Sequence, residues 1–220
     1  MMHIRMVITY KTIQGLKTTF ESAEMDTEKA IHIAEDMLKT GRIKACDFYD
    51  QTDQSWTLKQ LKSYTEDIMD EPHHITVYFD GGFDNQTRAA GLGCAIYFEQ
   101  NTKKYRKRIN TLIQEIGSNN EAEYAALHFG IKELANMGVH HLPVTFIGDS
   151  KVVVHQMTDE WPCYEETLSE WMDRVEDQLD RLGIQPTFKA VSRKQNKETD
   201  QLAAQALRGI DILSTIELKR

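Results

Sequence analysis

Cysteine is scarce in this chain of 220 residues: there are three, Cys46, Cys94 and Cys163, an odd number without metal-ligand spacing. No disulfide framework fits them, and they read as reduced, half-buried thiols in a cytoplasmic protein. Long apolar runs are missing as well. No stretch of ~18 apolar residues exists, which rules out a transmembrane helix. Residues 1–10 lack the apolar core and cleavage site of a secretory signal. Positive charge is in deficit, with 26 Lys+Arg against 34 Asp+Glu and a formal net charge of −8. That balance excludes sequence-independent coating of nucleic acid, which needs a broad basic surface. It leaves room for an enzyme that meets nucleic acid locally through a metal. Internal repeats and low-complexity segments are absent too.

What is present divides near residues 66–74, where YTEDIMDEPHH is acidic, contains Pro72 and precedes an abrupt β-rich run. The expectation is a small α+β accessory domain over 1–70 and an α/β domain over 71–220. In the first, HIRMVITYKT and LKTTFES predict two strands with a turn at Gly15. A helix starts at Asp26 or Thr27 and stops at Gly41, with Ala30, Ile31, Ala34, Met37 and Leu38 at helical spacing. A strand near 43–49 and the segment SWTLKQLKSY complete it. Nothing in this part has catalytic spacing. Tyr10, Phe48, Tyr49 and Trp56 read as core residues, with base stacking the second option.

The second part reads strand, strand, strand, helix, strand, helix, helix, strand, helix. HITVYFD alternates, with Ile75, Val77 and Phe79 on one face. Residues 118–138 predict a helix, opened by a Ser118–Glu121 capping box and stopped at Gly138. VTFIGD is apolar enough for a buried parallel strand. A mixed sheet flanked by helices satisfies this order.

Four acids stand out of phase with solvated faces. Asp80 closes the first strand before Gly81-Gly82, and Asp149 closes the central one just before a helix at Ser150. Carboxyl ends of strands in open sheets line ligand crevices. Asp200 shares a helical stripe with Ala203, Ala204 and Leu207, and Glu123 shares one with Ala126, Leu127, Gly130 and Leu134. Each acid alone reads as a cap or turn residue. Burying all four costs several kcal/mol apiece unless something neutralises them, and a divalent cation would.

FDGG at 79–82, SNNEAEY at 118–124, IGDS at 147–150 and NKETDQLA at 196–203 resemble the ribonuclease H family in order and spacing. The resemblance covers about 74–210. It implies an α/β fold, a five-stranded mixed sheet in order 3-2-1-4-5 with helices on both faces. It also implies two Mg²⁺ or Mn²⁺ ions held by Asp80, Glu123, Asp149 and Asp200, clamping an in-line displacement at phosphorus. The implied substrate is the RNA strand of an RNA–DNA hybrid. The 2′-hydroxyl would be read by Gly81, Gly82, Asn119 and Asn120, with Ser150 beside the third acid. For Asn119-Asn120, a polar helix lead-in is the plainer alternative. No membrane and no obligate protein partner are implied.

The sequence also departs from that family. The Gly-Asn-Pro-Gly turn after the first Asp is replaced by GGFDNQTRAAGLG, where Asn85 stands in for the missing Asn. Lys151 replaces the usual Gln after Asp-Ser. The last loop, VSRKQNKETD, lacks the histidine of some subfamilies and offers Arg193 or Lys194 instead. The basic run Lys103, Lys104, Arg106, Lys107 and Arg108 reads as a charge-guarded edge strand or as a phosphate contact. The expectations rank as hybrid-cleaving endoribonuclease first, catalytically weak or inactive nucleic-acid-binding relative second, and nuclease on another polynucleotide third.

Overall fold

A computed structural model describes residues 2–41 and 43–219; Arg42, in the segment read as helix and stop, lies outside them. The chain forms two compact units, Met1–Asp70 and Glu71–Arg220.

The first unit contains β1 (His3–Lys11), β2 (Lys17–Glu21), β3 (Met25–Asp26), α1 (Thr27–Lys39), β4 (Ile43–Asp50), β5 (Ser55–Trp56) and α2 (Leu58–Asp70). Its sheet runs β2-β1-β4-β5, with β3 also on β1. Ile4, Met6 and Ile8 alternate inward from β1 and meet Ala30 and Ala34 of α1, Phe48 of β4 and Leu61 of α2. Leu38, expected on the apolar stripe of α1, is exposed. The segment SWTLKQLKSY supplies β5 and most of α2. Phe48 is fully buried, and Tyr10 and Trp56 pack against the same core. Tyr49 lies under the Arg5 guanidinium, 5.0 Å from the ring centroid.

The second unit contains β6 (His73–Asp84), β7 (Ala89–Gln100), β8 (Lys103–Ile113), α3 (Asn119–Asn136), β9 (Pro143–Gly148), α4 (Lys151–Met157), α5 (Glu166–Leu182), β10 (Gln185–Ala190), α6 (Lys197–Leu207) and β11 (Leu213–Leu218). The sheet runs β10-β9-β6-β7-β8-β11. Its first five strands are the expected mixed sheet in the expected order. The sixth, β11, pairs antiparallel with β8 and was not anticipated. β8 is therefore an inner strand, and the guarded-edge reading of its basic run fails. Those cations are used within the unit. Lys103 pairs with Glu217 at 2.9 Å, Lys104 with Glu99 at 3.4 Å, Arg106 and Arg108 with Glu198 at 3.0 and 3.4 Å, and Lys107 with the buried Glu133.

Helices reach the sheet through glycines. A side chain at Gly81 would strike the Ala122 carbonyl at 2.2 Å, and one at Gly91 would strike that of Ala203 at 2.1 Å. Only bare backbone lets α3 approach β6, and α6 approach β7, this closely. The start of α3 follows from its sequence. The Ser118 hydroxyl accepts the Glu121 N–H at 3.1 Å. The Glu121 carboxylate reaches one residue further back than in a standard capping box and accepts the Gly117 N–H at 2.6 Å. Gly138, at φ +77°, ends the helix.

Candidate active site

β6 runs four residues past Asp80, to Asp84, so Asp80 does not end its strand as expected. The crevice arises differently. β9 accompanies β6 in parallel only from Ile75 to Tyr78 and stops at Gly148, while β7 continues along β6 to Asp84. Where β9 ends, Asp80 and Asp149 face open space, as at any switch point of an α/β sheet. The cleft there measures about 330 Å³, and its lining includes Asp80, Gly81, Gly82, Asn119, Glu123, Asp149, Arg193 and Asp200.

Three of the four acids meet closely. One carboxylate oxygen each from Asp80, Glu123 and Asp149 lies within 4.8 Å of the others. They come from β6, the first turns of α3 and the loop after β9, far apart in sequence. Glu123 is buried with Ala126, Leu127 and Leu134 on the same helical face, and it accepts the Gly81 N–H at 3.3 Å. Burial first, then the charges of Asp80 and Asp149, pushes the Glu123 carboxyl up to about 9. Burial first, then the Asp149 and Asp200 carboxylates, pushes Asp80 up to about 7. Arg193 opposes both shifts.

Asp200 is placed differently. The buried face of α6 is Thr199, Leu202, Ala203 and Ala206; Asp200, Ala204 and Leu207 form the wall of the cleft beside it. Its Oδ1 accepts two bonds from Arg193, from Nε at 3.1 Å and from Nη2 at 2.6 Å. A guanidinium thus stands at the rim of the acid cluster, at the place in the last loop where some subfamilies carry a histidine. Lys194 is exposed and Lys151 is exposed at the head of α4, neither lining the cleft. Asn85 is exposed in the β6–β7 turn, where the Asp84 carboxylate accepts the Gln86 N–H at 2.9 Å.

Of the expected substrate-facing residues, Gly81, Gly82 and Asn119 line the cleft; Asn120 and Ser150 do not. Ser150 caps α4, accepting the Val153 N–H at 3.4 Å. A residue without an assigned role, Asn196, fastens α6 to β6 by donating from Nδ2 to the Phe79 carbonyl at 2.9 Å, one residue before Asp80. It stands within the NKETDQLA motif, which was its only signal.

The acid trio fits a hard divalent cation. Its donors are all carboxylate oxygens, as Mg²⁺ and Mn²⁺ prefer. Two of its members are driven towards the neutral acid, so a cation has protons to replace. Among the described residues no lysine or arginine forms an ion pair with Asp80, Glu123 or Asp149.

A mixed sheet in this order, helices packed on glycines and acids gathered at the switch point define the ribonuclease H-like class of α/β protein. Residues 78–206 match the family described as Reverse transcriptase-like, and the chain belongs to it. It is 38% identical over 193 residues, 88% of this chain and 85% of the other, to YpeP, an uncharacterized protein of Bacillus subtilis (strain 168). Among solved structures it is similar to RNase H1 of the halophilic archaeon Halobacterium salinarum NRC-1, at 24% identity and a TM-score of 0.53, over 61% of this chain and 98% of that one. It is also similar to LC11-RNase H1 in complex with an RNA/DNA hybrid, at 25% identity and a TM-score of 0.54, over 61% and 97% of the two chains.

Proposed function

We propose that residues 71–220 form a metal-dependent endoribonuclease domain that hydrolyses the RNA strand of RNA–DNA hybrids, with residues 1–70 as an accessory domain. The observation that carries this reading is the convergence of Asp80, Glu123 and Asp149 on one point of the cleft. The solved complex of LC11-RNase H1 with a hybrid supports the choice of substrate.

Asp80, Glu123 and Asp149 would hold one Mg²⁺ or Mn²⁺ ion, and Asp80, Asp149 and Asp200 a second. Such ions activate water and stabilise the leaving oxygen of a phosphodiester. The residues of the chain do the rest. Asp80 and Asp149 would lose their mutual repulsion when loaded, and Asp80 would give up any bound proton. The Gly81 N–H fixes the Glu123 carboxylate. Gly81, Gly82 and Asn119 border the space a ribose would fill and are the proposed 2′-hydroxyl contacts. Asn120 and Ser150, at the heads of α3 and α4, would meet the hybrid outside the cleft. Arg193 offers its exposed guanidinium to a phosphate once Asp200 turns to a cation. The three unpaired cysteines support a cytoplasmic location.

One observation favours a second reading, a weak or inactive hybrid-binding relative: Arg193 already neutralises Asp200. Incubation with Mg²⁺ or Mn²⁺ and matched hybrid, RNA–RNA, DNA–DNA and single-stranded substrates decides between them. Cleavage of only the RNA strand of the hybrid, lost in Asp80→Asn, is the expected result. Hybrid binding without cleavage under either metal would favour the second reading, and cutting of another duplex would move the activity to a different polynucleotide.

A further inference from the structure

Ligating side chains converge at a second place, roughly 20 Å along β6 from Asp80 at ~3.3 Å per residue. One nitrogen each from His73 and His74 and one carboxylate oxygen of Glu99 lie within 4.8 Å of one another. His73 is buried, His74 exposed and Glu99 half-buried. The backbone is bent to bring them together. In a regular strand, adjacent side chains point to opposite faces. Here the β6–β7 register shifts between His73 and Thr76, and His74 takes φ +51°, a left-handed conformation uncommon outside glycine. Both rings therefore turn to one carboxylate, with their centroids 5.1 Å apart.

The hydrogen bonds around the group suit coordination. Nδ1 of His73 lies 2.9 Å from the Glu71 carbonyl oxygen. A carbonyl only accepts, so Nδ1 carries the hydrogen, and in the neutral ring Nε2 is the nitrogen left to ligate. This is how proteins orient imidazoles bound to metal. Lys104 holds Oε1 of Glu99 at 3.4 Å, which leaves Oε2 facing His74 Nδ1 at 3.4 Å. That gap is long for a hydrogen bond. Two ligands at ~2.1 Å from a tetrahedral zinc ion stand about 3.4 Å apart.

We infer that His73, His74 and Glu99 form a binding site for a divalent transition-metal ion of the zinc class, with a fourth position open to water. Two imidazoles and one carboxylate suit Zn²⁺ or Co²⁺, whereas Mg²⁺ prefers six oxygen ligands. The ion would clasp the start of β6 to the end of β7 where the bulge interrupts their pairing. The inference is independent of the nuclease reading.

The test uses full-length, metal-stripped protein titrated with Co²⁺ in buffer saturated with Mg²⁺, read by the visible absorption of tetrahedral cobalt and by Tm. One Co²⁺ per chain, displaced by Zn²⁺ but not by Mg²⁺, with a rise in Tm, is expected. His74→Asn, which tolerates the left-handed backbone, and Glu99→Gln should each weaken binding by at least about tenfold. Both should leave the metal-free Tm close to wild type, and Asp149→Asn should leave cobalt binding intact. Displacement by Mg²⁺, undiminished binding in both His74→Asn and Glu99→Gln, or loss of binding in Asp149→Asn would each overturn the inference.

Discussion

In the deep half of the cleft, Asp80, Glu123 and Asp149 converge with no basic partner among the described residues, and burial drives two of them towards the protonated acid. At the outer rim, Asp200 has the same chemistry but is half-exposed and already bonded to Arg193. The difference lies in solvent. At the rim, water screens the charge and a flexible guanidinium suffices, in a pair of the exposed kind that contributes about 0–1 kcal/mol. In the deep half, an ionised carboxylate without a partner costs several kcal/mol, so the trio needs either protons or a cation. On the proposed reading, the deep half would be loaded by a cation, and Asp200 at the rim would exchange Arg193 for one.

Substitutions can break this contrast. The largest expected effect is in the deep half. Asp80→Asn or Asp149→Asn should lower hybrid cleavage by about 10³-fold, or ~4 kcal/mol of transition-state stabilisation, in single-turnover assays. Their Tm without metal should equal or exceed that of wild type, because mutual repulsion is relieved. Asp200→Asn should cost less, about 10- to 100-fold, and most of the loss should return at high Mn²⁺. Equal losses in the two halves would erase the distinction.

The metal-free pH dependence sharpens it further. Folded Asp80 and Glu123 titrate near about 7 and about 9, above their ordinary values of 3.8 and 4.5. Groups raised in this way contribute stability that is complete below the ordinary values and is lost as pH rises through the folded ones. Melting between about pH 5 and pH 9 in chelator should therefore show Tm falling, at about 2–4 °C per kcal/mol. Mg²⁺ should flatten the alkaline limb, and Glu123→Gln should remove much of the slope. The smallest effect belongs to Arg193→Gln. Without the opposing guanidinium, both carboxyls should titrate higher still, and apparent Mg²⁺ affinity should tighten a few-fold as competition for Asp200 disappears.

Much of this was legible in the sequence because it is local. The alternation of Ile75, Val77 and Phe79 specifies β6, Ser118 specifies the start of α3, and Glu123 announces itself by sharing a face with Ala126 and Leu127. The rest depends on tertiary partners. β11 buries no apolar side chain, since Leu213 and Ile216 are exposed and Leu218 is only half-buried, and it is defined by its pairing with β8. The basic run on β8 was misread for the same reason: the glutamates that neutralise it come from β7, α3, α6 and β11. The stripe of Asp200 was identified but not its orientation, because helical spacing alone does not distinguish the wall of a cleft from a core.

The central claim is that a divalent ion binds among Asp80, Glu123 and Asp149 and displaces protons held by Asp80 and Glu123. It is tested most directly by Mn²⁺ titration calorimetry near neutral pH in buffers of different ionisation enthalpy, with protein carrying His74→Asn so that the His73–His74–Glu99 cluster cannot contribute. Binding should release about one proton or more per chain and should vanish in Asp149→Asn. Mn²⁺ binding without proton release, or binding that persists in Asp149→Asn, would contradict it.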